Sequence, residues 1–312
     1  MKNRILTIFG TALITSTIVF SIQANKEGSS DDQNQHNFHD SYKIFALNKP
    51  EKINFAGENI PLNDPDIYER LDREIHVNTY WQSNTILLIK RANKYFPIIE
   101  PILAKHGIPD DFKYLAVAES GLQNITSPAG AKGIWQIMKA TAKEYKLEVT
   151  ETVDERYHLE KATEAACKYL LKAKEDLGNP DWLTIAASYN MGITGIKKQQ
   201  TRQSSKHYLD LLLNTETGRY VYRLAALKLI LENPEEFGFQ VRDKDKYQMV
   251  PTRTIAVDTT INNLGQFAHD FGINYKVLKI HNPWLRDNFL ADKSRKRYEI
   301  KIPNKGYYVF EH

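Results

Sequence analysis

The sequence has almost no cysteine, since Cys167 is the only one among 312 residues. An internal disulfide is therefore excluded, and the stability of the fold must come from packing. Cys167 lies in the apolar stretch 165–171, which favours a buried small hydrophobic residue over a nucleophile. A lipoprotein is also disfavoured, because lipid anchoring would need a cysteine near the N-terminus.

An excess of charge of one sign is lacking as well. The chain has 42 Lys and Arg residues against 38 Asp and Glu residues, a net charge of +4. A net charge this small does not favour nucleic-acid binding, although mild basicity would suit an anionic polymer. The sequence also lacks a cluster of His, Asp and Glu with the spacing of metal ligands, so no metal site is predicted. Histidines such as His158 and His281 are interpreted as surface or packing residues.

Only one long apolar run is present, from Ile5 to Ile22, and it follows Lys2 and Arg4 and ends near Ala24. This order of charged, apolar and small residues is typical of an export signal. Gly, Thr and Ser residues interrupt the run, which weakens it as a permanent span of about 20 apolar residues. We therefore predict a cleaved signal at 1–24 and export to the periplasm, with an uncleaved, membrane-associated anchor as the alternative.

The rest of the chain divides into three parts that differ in polarity and in the periodicity of their apolar residues. Residues 25–66 are polar, and at their start no apolar residues recur at helix or strand spacing, which predicts a linker. Residues 67–240 have helical periodicity, clear from Asn84 onward, and no convincing strand is predicted before Gln248. The predicted helices cover about 84–103 (with a kink allowed at Pro97 and Pro101), 112–120, 139–145, 159–177, 182–189 and 220–231. A β-α-α-β unit is predicted within 250–312.

The most informative position is Glu119, at the end of the helix predicted over 112–120. The residues before it, 114–118, are apolar, so one face of this helix is expected to be buried. A carboxyl group there would lose solvation, which would raise its pKa and let it act as a general acid near neutral pH. The alternative is an ordinary carboxylate that pairs with a lysine or caps the next turn.

Three further motifs follow Glu119-Ser120. They are Gly133-Ile134-Trp135-Gln136, then Ser188-Tyr189-Asn190 with Gly192, and Glu216-Thr217-Gly218-Arg219-Tyr220-Val221. In this order and spacing, residues from about Arg70 to Phe239 resemble the lytic transglycosylases with a goose-type lysozyme-like (SLT) catalytic domain. The departures are mild: Ser188 stands where alanine is usual, and Tyr222-Arg223 where proline and lysine are usual. The resemblance implies a mainly α, lysozyme-like catalytic domain.

The resemblance also implies the chemistry. Glu119 would be the sole catalytic acid, and no metal or organic cofactor would be needed. The substrate would be peptidoglycan, cleaved between N-acetylmuramic acid and N-acetylglucosamine with formation of a 1,6-anhydro end. A hydrolase of the same fold and a non-catalytic peptidoglycan-binding protein are the alternatives. The residues expected to bind substrate are Ser120, Gln136, Met138, Tyr189, Asn190 and Tyr220.

Several of these positions also have simpler interpretations. Trp135 is expected to be a core residue, and Met138 either fills a gap in the core or touches sugar. Ser120 either supports the acid or caps its helix. A glycosidase ordinarily uses two carboxylates, but Asp154 and Glu155, which precede a helix start, are interpreted as caps.

The C-terminal unit partly resembles a LysM module, which binds N-acetylglucosamine polymers. Residues 260–268 stand where such modules begin their first helix, and 280–285 resemble the Asn-Pro ending of their second helix. The usual Gly-Asp-Thr-Leu start is absent. We therefore leave two alternatives open, which are wall binding by this unit and a purely structural subdomain; the oligomeric state is not predicted.

Overall fold

The computed structural model describes residues 44–291 and 296–308, so the predicted signal and most of the predicted linker lie outside the described residues. The chain contacts divide it into Met1–Asn48 and Lys49–His312. Within the second unit the described helices and strands are, in chain order, β1 (Asn54–Phe55), β2 (Glu58–Asn59), α1 (Pro65–Tyr80), α2 (Gln82–Lys105), α3 (Lys113–Ser120), α4 (Lys139–Glu144), α5 (Leu159–Asp176), α6 (Trp182–Met191), α7 (Ile193–Gln203), α8 (Thr215–Glu232), β3 (Thr252–Val257), α9 (Leu264–Asp270), α10 (Tyr275–His281) and β4 (Tyr298–Pro303). The prediction of a mainly α fold is confirmed.

Helix α1 begins where the sequence satisfies its free backbone N–H groups. The Asp64 carboxylate accepts from the N–H groups of Asp66 and Ile67, and Pro65 occupies the first turn. Ile67 and Leu71 stand four residues apart on the buried face, which packs against α8. This contact matters for the site, because both helices contribute side chains to it.

Helix α2 runs through Pro97 and Pro101 as one helix of 24 residues. Its buried residues, among them Leu88, Ile99 and Leu103, recur at helical spacing, and the helix packs against α5. The tertiary contacts of a long apolar face therefore outweigh the hydrogen bonds that two prolines remove.

The folded part begins earlier than the predicted boundary at residue 67. Strands β1 and β2 form a short antiparallel hairpin before α1, where no strand was predicted. Phe55 is fully buried, with its ring centroid 5.5 Å from that of Phe112, and Ile53 and Ile60 are buried beside it. Three apolar residues in a polar context carry too little periodicity to be recognised from sequence.

The remaining predicted helices are confirmed within a few residues of their ends, but α7 was not predicted. Only Gly192 separates α7 from α6, and its φ of 82° breaks the helical path between them. Helix α7 buries a single residue, Ile196, so its sequence has no apolar stripe.

The C-terminal part has the predicted β-α-α-β order. Strands β3 and β4 pair antiparallel from Thr252 with Pro303 to Val257 with Tyr298. Backbone hydrogen bonds join this part to the helical part: Asp154 N donates to Trp284 O at 2.9 Å, and Arg286 N to Thr152 O at 2.8 Å. Both parts lie in the single unit Lys49–His312.

Among residues 44–291 and 296–308, we find no helix that combines the length and the apolar character of a membrane span. Over the same ranges, no three His, Cys, Asp or Glu side chains are grouped so that they could hold a metal ion. Cys167 is buried, which confirms its interpretation as a small core residue.

Candidate active site

Glu119 lies in the last turn of α3, a helix that is almost entirely enclosed. Residues 114–117 of this helix are buried, and the helix ends at Gly121 in the left-handed conformation. Gly121 N donates to Val117 O at 2.8 Å, which closes the helix end. The Glu119 carboxyl group is therefore held on a short, rigid element at the edge of the core.

The environment of Glu119 favours its neutral form. The pKa of this carboxyl group is raised to about 7 from an ordinary value of 4.5; burial is the largest cause, and the negative charge of Glu216 acts in the same direction. The hydrogen bond from Tyr220 and the positive charge of Arg223 oppose this shift and lower the pKa. A carboxyl group that titrates near neutrality can both donate and accept a proton under physiological conditions.

Tyr220 makes the direct contact with the acid. It lies on α8, is only 2% exposed, and its hydroxyl group donates to Glu119 Oε1 at 2.5 Å. Burial and the charge of Glu119 raise the Tyr220 pKa well above its ordinary value, so the phenol keeps its proton and remains a donor. The first and fourth motifs are thus joined by one hydrogen bond.

Ser120 connects the acid's helix to the turn that contains the second motif. Its hydroxyl group lies 2.7 Å from Ile134 O and 3.1 Å from Ala116 O, and it accepts from Gln123 N. Ser120 is 5% exposed. Because its hydroxyl group is committed to these backbone partners, the geometry favours the interpretation that Ser120 supports the acid over the predicted contact with substrate.

The second motif forms a tight turn that presents Gln136. The Gln136 backbone has a φ of +48°, and its Nε2 donates to Gly133 O at 2.7 Å and lies 3.2 Å from Ile125 O. Trp135 is fully buried, with Nε1 donating to Thr163 Oγ1 at 2.8 Å, which confirms it as a core residue. The turn fixes both the position and the amide orientation of Gln136.

The third motif is tied to the second and the fourth. The Tyr189 hydroxyl group donates to Trp135 O at 2.8 Å. Asn190 Oδ1 accepts from Thr217 Oγ1 at 2.7 Å, while its Nδ2 lies 3.3 Å from Glu216 Oε1. Four segments that are far apart in sequence are therefore connected around Glu119 by hydrogen bonds.

Met138 directly follows the turn and is 44% exposed. This exposure removes the alternative in which Met138 fills a gap in the core, and contact with substrate stays a prediction. Asp154 accepts from Arg156 N as a cap and pairs with the buried Arg156 guanidinium group at 2.8 Å. Glu155 instead accepts from Glu148 N and pairs with Lys161, so the cap prediction is confirmed for Asp154 alone, although both carboxylates have structural partners.

Glu119 borders an open cavity of about 440 Å³ whose wall includes residues that the sequence did not single out. Trp81, between α1 and α2, lies in this wall and is 59% exposed. The wall also contains Glu74, which forms ion pairs with Arg219 and Arg223 in the same wall. Two signals were available in the sequence: Glu74 interrupts an apolar helical stripe, and Trp81 stands in the polar context Tyr80–Asn84.

Two family models match the chain. Residues 96–211 match the transglycosylase SLT domain, and residues 253–306 match the soluble lytic transglycosylase C-terminal LysM-like domain. The recognition of both parts from sequence is therefore confirmed. The SLT match contains Glu119, Gln136, Tyr189 and Asn190, whereas Tyr220 lies beyond its end.

The chain is 27% identical over 259 residues to membrane-bound lytic murein transglycosylase D of Escherichia coli strain K12, and equally to that of Escherichia coli O6:H1 strain CFT073. The alignment covers 80% of this chain and 55% of each relative, so the chain spans about half the length of the curated relatives it matches.

Solved structures of lytic transglycosylases are also similar. The 70 kDa soluble lytic transglycosylase of Escherichia coli matches with a TM-score of 0.39 and 18% identity, covering 50% of this chain and 27% of that one. An inactive mutant of the lytic transglycosylase Slt from Pseudomonas aeruginosa matches with a TM-score of 0.37 and 15% identity, covering 49% and 26%.

Proposed function

We propose that this chain, which carries a transglycosylase SLT domain, is a lytic transglycosylase that cleaves the glycan strands of peptidoglycan in the bacterial envelope. The observation that carries the proposal is the environment of the Glu119 carboxyl group. The pKa of this group is raised to about 7, and the group borders an open cavity. It also accepts a hydrogen bond from the buried Tyr220 hydroxyl group. Such a group suits a reaction in which one residue is first an acid and then a base.

In the proposed first step, protonated Glu119 donates its proton to the oxygen that joins C1 of N-acetylmuramic acid to C4 of N-acetylglucosamine. The C1–O bond breaks, and the N-acetylglucosamine unit leaves with a free C4 hydroxyl group. The acetamido oxygen of the muramic acid attacks C1 and stabilises the positive charge there. The substrate thus supplies the nucleophile that a second enzyme carboxylate supplies in ordinary retaining glycosidases.

In the second step, ionised Glu119 removes the proton from the C6 hydroxyl group of the same muramic acid. The C6 oxygen attacks C1, the bond from the acetamido oxygen breaks, and a 1,6-anhydro ring closes. Glu119 is protonated again, and no water is consumed. The Tyr220 hydroxyl group stabilises the carboxylate between the two steps, since it donates to Oε1 at 2.5 Å.

In this proposal, the other motif residues position the sugars of the substrate at the acid. Gln136 and Asn190 are held by hydrogen bonds that fix their amide groups, and Tyr189 is anchored on the turn that carries Gln136. We assign these three residues, with exposed Met138, to contact with the sugars next to the cleaved bond. Preorganised polar groups of this kind lower the entropy cost of bringing the bond to the acid.

The identity of the products tests this proposal. Purified protein is incubated with peptidoglycan sacculi, and the soluble products are analysed by mass spectrometry. Products that end in 1,6-anhydro-N-acetylmuramic acid are expected, each lighter by one water than a reducing product. Reducing ends would instead indicate the hydrolase, and the absence of soluble products would indicate a non-catalytic binding protein.

Replacement of Tyr220 by phenylalanine is expected to shift the pH dependence of cleavage. Its hydroxyl group lowers the Glu119 pKa, so its removal raises that pKa and keeps the acid protonated to higher pH. The alkaline limb of the pH–rate profile should therefore shift to higher pH. In addition, kcat should fall roughly tenfold, because the ionised Glu119 loses a charge-assisted hydrogen bond between the two steps. Rates measured from pH 5 to pH 9 check this.

Tyr189→Phe is the matched control for this experiment. The Tyr189 hydroxyl group donates to Trp135 O and not to the carboxyl group. Its loss should leave the alkaline limb in place, even if the rate falls. An equal displacement of the limb by both substitutions would contradict the role given to Tyr220.

The LysM-like part is proposed to be primarily structural. Trp284 and Leu285 belong to the segment that resembles the Asn-Pro ending of LysM modules, and both are buried. Val153 of the helical part packs in the same hydrophobic cluster, and its backbone bridges that of Leu285. This burial supports the structural alternative, and a pull-down with sacculi tests whether other surfaces of this part bind the wall.

A further inference from the structure

Two arginines face the same cavity as Glu119, and a buried carboxylate holds them there. Arg219 and Arg223 are one helical turn apart on α8, and both contact Glu74 of α1: Arg219 Nε lies 2.6 Å from Oε1, and Arg223 Nε lies 3.5 Å from Oε2. Glu74 is only 1% exposed. All three residues line the cavity, together with Trp81 and Glu119.

The charges in this cluster are not balanced. Glu74 also pairs with Arg73 at 2.7 Å, so three guanidinium groups share one carboxylate. A buried, unpaired carboxylate would be costly, and the arginines satisfy it. Arg219 and Arg223 keep 24% and 31% of their side chains exposed, so part of their positive charge remains available to a ligand.

The geometry of the contacts leaves hydrogen-bond donors free. Both arginines approach Glu74 through Nε. Within residues 44–291 and 296–308, the structure gives their Nη groups no further hydrogen-bond partner. Arg219 is hydrogen-bonded to Glu74 through Nε, and Arg223 lies beside the same carboxylate as an ion pair, so each still offers its two Nη groups, which match the two oxygens of a carboxylate.

We propose that Arg219 and Arg223 bind a carboxylate group of the glycan strand's substituents. This inference rests on the proposed function and names the substrate class that the site prefers, which is strands that carry a negative charge beside the cleaved bond. Peptidoglycan has two sources of such a group: the stem-peptide carboxylates, and the lactyl carboxylate of muramic acid units that have lost their peptide. Uncharged chitin-type strands have neither.

The experiment measures binding and not turnover, so it does not depend on the reaction. Protein with Glu119→Gln is titrated by calorimetry with three muramic-acid oligosaccharides of equal length. The first carries stem peptides, the second has free lactyl carboxylates, and in the third the lactyl groups are capped as neutral methylamides. At least one of the first two is expected to bind about tenfold more tightly than the third.

Arg219→Gln or Arg223→Gln in the same background should abolish this tenfold preference and leave the affinity for the capped ligand unchanged. Arg73→Gln is the matched control, because Arg73 contacts the same Glu74 carboxylate but does not line the cavity. It removes one partner of the buried carboxylate without removing a donor from the cavity. It should therefore keep the preference, and thermal melting of all three variants reports any loss of fold.

Preference for the first ligand identifies the stem peptide, and preference for the second identifies the lactyl group; either supports the inference. Equal affinity for all three ligands would overturn it. So would loss of the preference in Arg73→Gln to the same extent as in Arg219→Gln. Equal and tight binding of all three ligands would overturn this inference alone, whereas binding of none would overturn the proposed function as well.

Discussion

Glu119→Gln is expected to lower the rate of glycan cleavage by at least about 1,000-fold while the protein stays folded. The amide has nearly the shape of the carboxyl group, but it can neither donate a proton to the glycosidic oxygen nor remove one from the C6 hydroxyl group. General acid–base groups contribute about 100-fold to 10,000-fold each, and here one residue serves both steps. Release of soluble muropeptides from sacculi, followed by chromatography, measures the loss.

Glu216→Gln is the matched control. Glu216 is exposed, contacts Asn190 and affects the acid only through its charge. Its neutralisation should lower the Glu119 pKa and change the rate by no more than about tenfold. A folded Glu119→Gln protein that retains activity, or an equal loss in both variants, would contradict the assignment of Glu119 as the catalytic group.

The stability of the Glu119→Gln protein separates loss of chemistry from loss of fold. Burial raises the pKa of Glu119 to about 7, so between pH 4.5 and 7 the folded state holds a proton that the unfolded state has released. The contribution of this group to stability is therefore greatest below pH 4.5 and falls as the pH rises to about 7. Glutamine does not titrate, so the variant should gain stability relative to the original protein between pH 5 and pH 8. Urea denaturation at these two pH values checks the sign.

The acid could be found from the sequence because its surroundings are local. An apolar helix that ends at a carboxyl group and a glycine predicts a buried helix face beside Glu119 and the end of α3, and both are observed. The order of the four motifs then identified the residues that the fold connects to Glu119. Local pattern and motif order were sufficient because each motif occupies one turn or one helix end.

The contacts of Glu74, Trp81 and Arg219 in the cavity wall could not be predicted in the same way. Glu74 and Arg219 are 145 residues apart in sequence, and only the packing of α1 against α8 brings them together. Trp81 could equally have been a core residue from its sequence context, and its exposure depends on the junction between α1 and α2. A contact of this range depends on how complete helices pack, which periodicity does not encode.

The turn that carries Gln136 depends on one glycine. Gly133 has a φ of +80°, and a Cβ atom built there would lie 1.9 Å from Arg156 O. The clashing atom belongs to the backbone, so it cannot rotate away as the end of a side chain could. An alanine at this position would therefore meet both conformational strain and a steric clash.

Arg156 itself is not free to move. Its guanidinium group is buried and pairs with Asp154, with Nε 2.9 Å from Oδ1 and Nη2 2.8 Å from Oδ2. Its Nη1 lies 3.3 Å from both Gly130 O and Ile137 O, at the two ends of the segment that contains the turn. A shift of Arg156 would thus disturb its buried ion pair with Asp154 and its contacts with both ends of the turn segment.

Gly133→Ala is expected to destabilise the protein by about 3 kcal/mol or more and to abolish cleavage in whatever fraction folds. A displaced turn would move Gln136 and would also shift the carbonyl groups of Ile134 and Trp135, which contact Ser120 and Tyr189. Urea denaturation measures the free energy of unfolding, and muropeptide release measures the activity.

Gly130→Ala isolates the contribution of the clash. Gly130 has a similar φ of +86°, but no atom lies within 4 Å of a Cβ built there. This variant meets the conformational strain alone, which costs about 1 kcal/mol, and should keep most of its activity. The difference between the two variants then measures how tightly the turn is held against Arg156. If both variants lose the same stability, the packing of Gly133 against Arg156 would not be what holds Gln136 in the site.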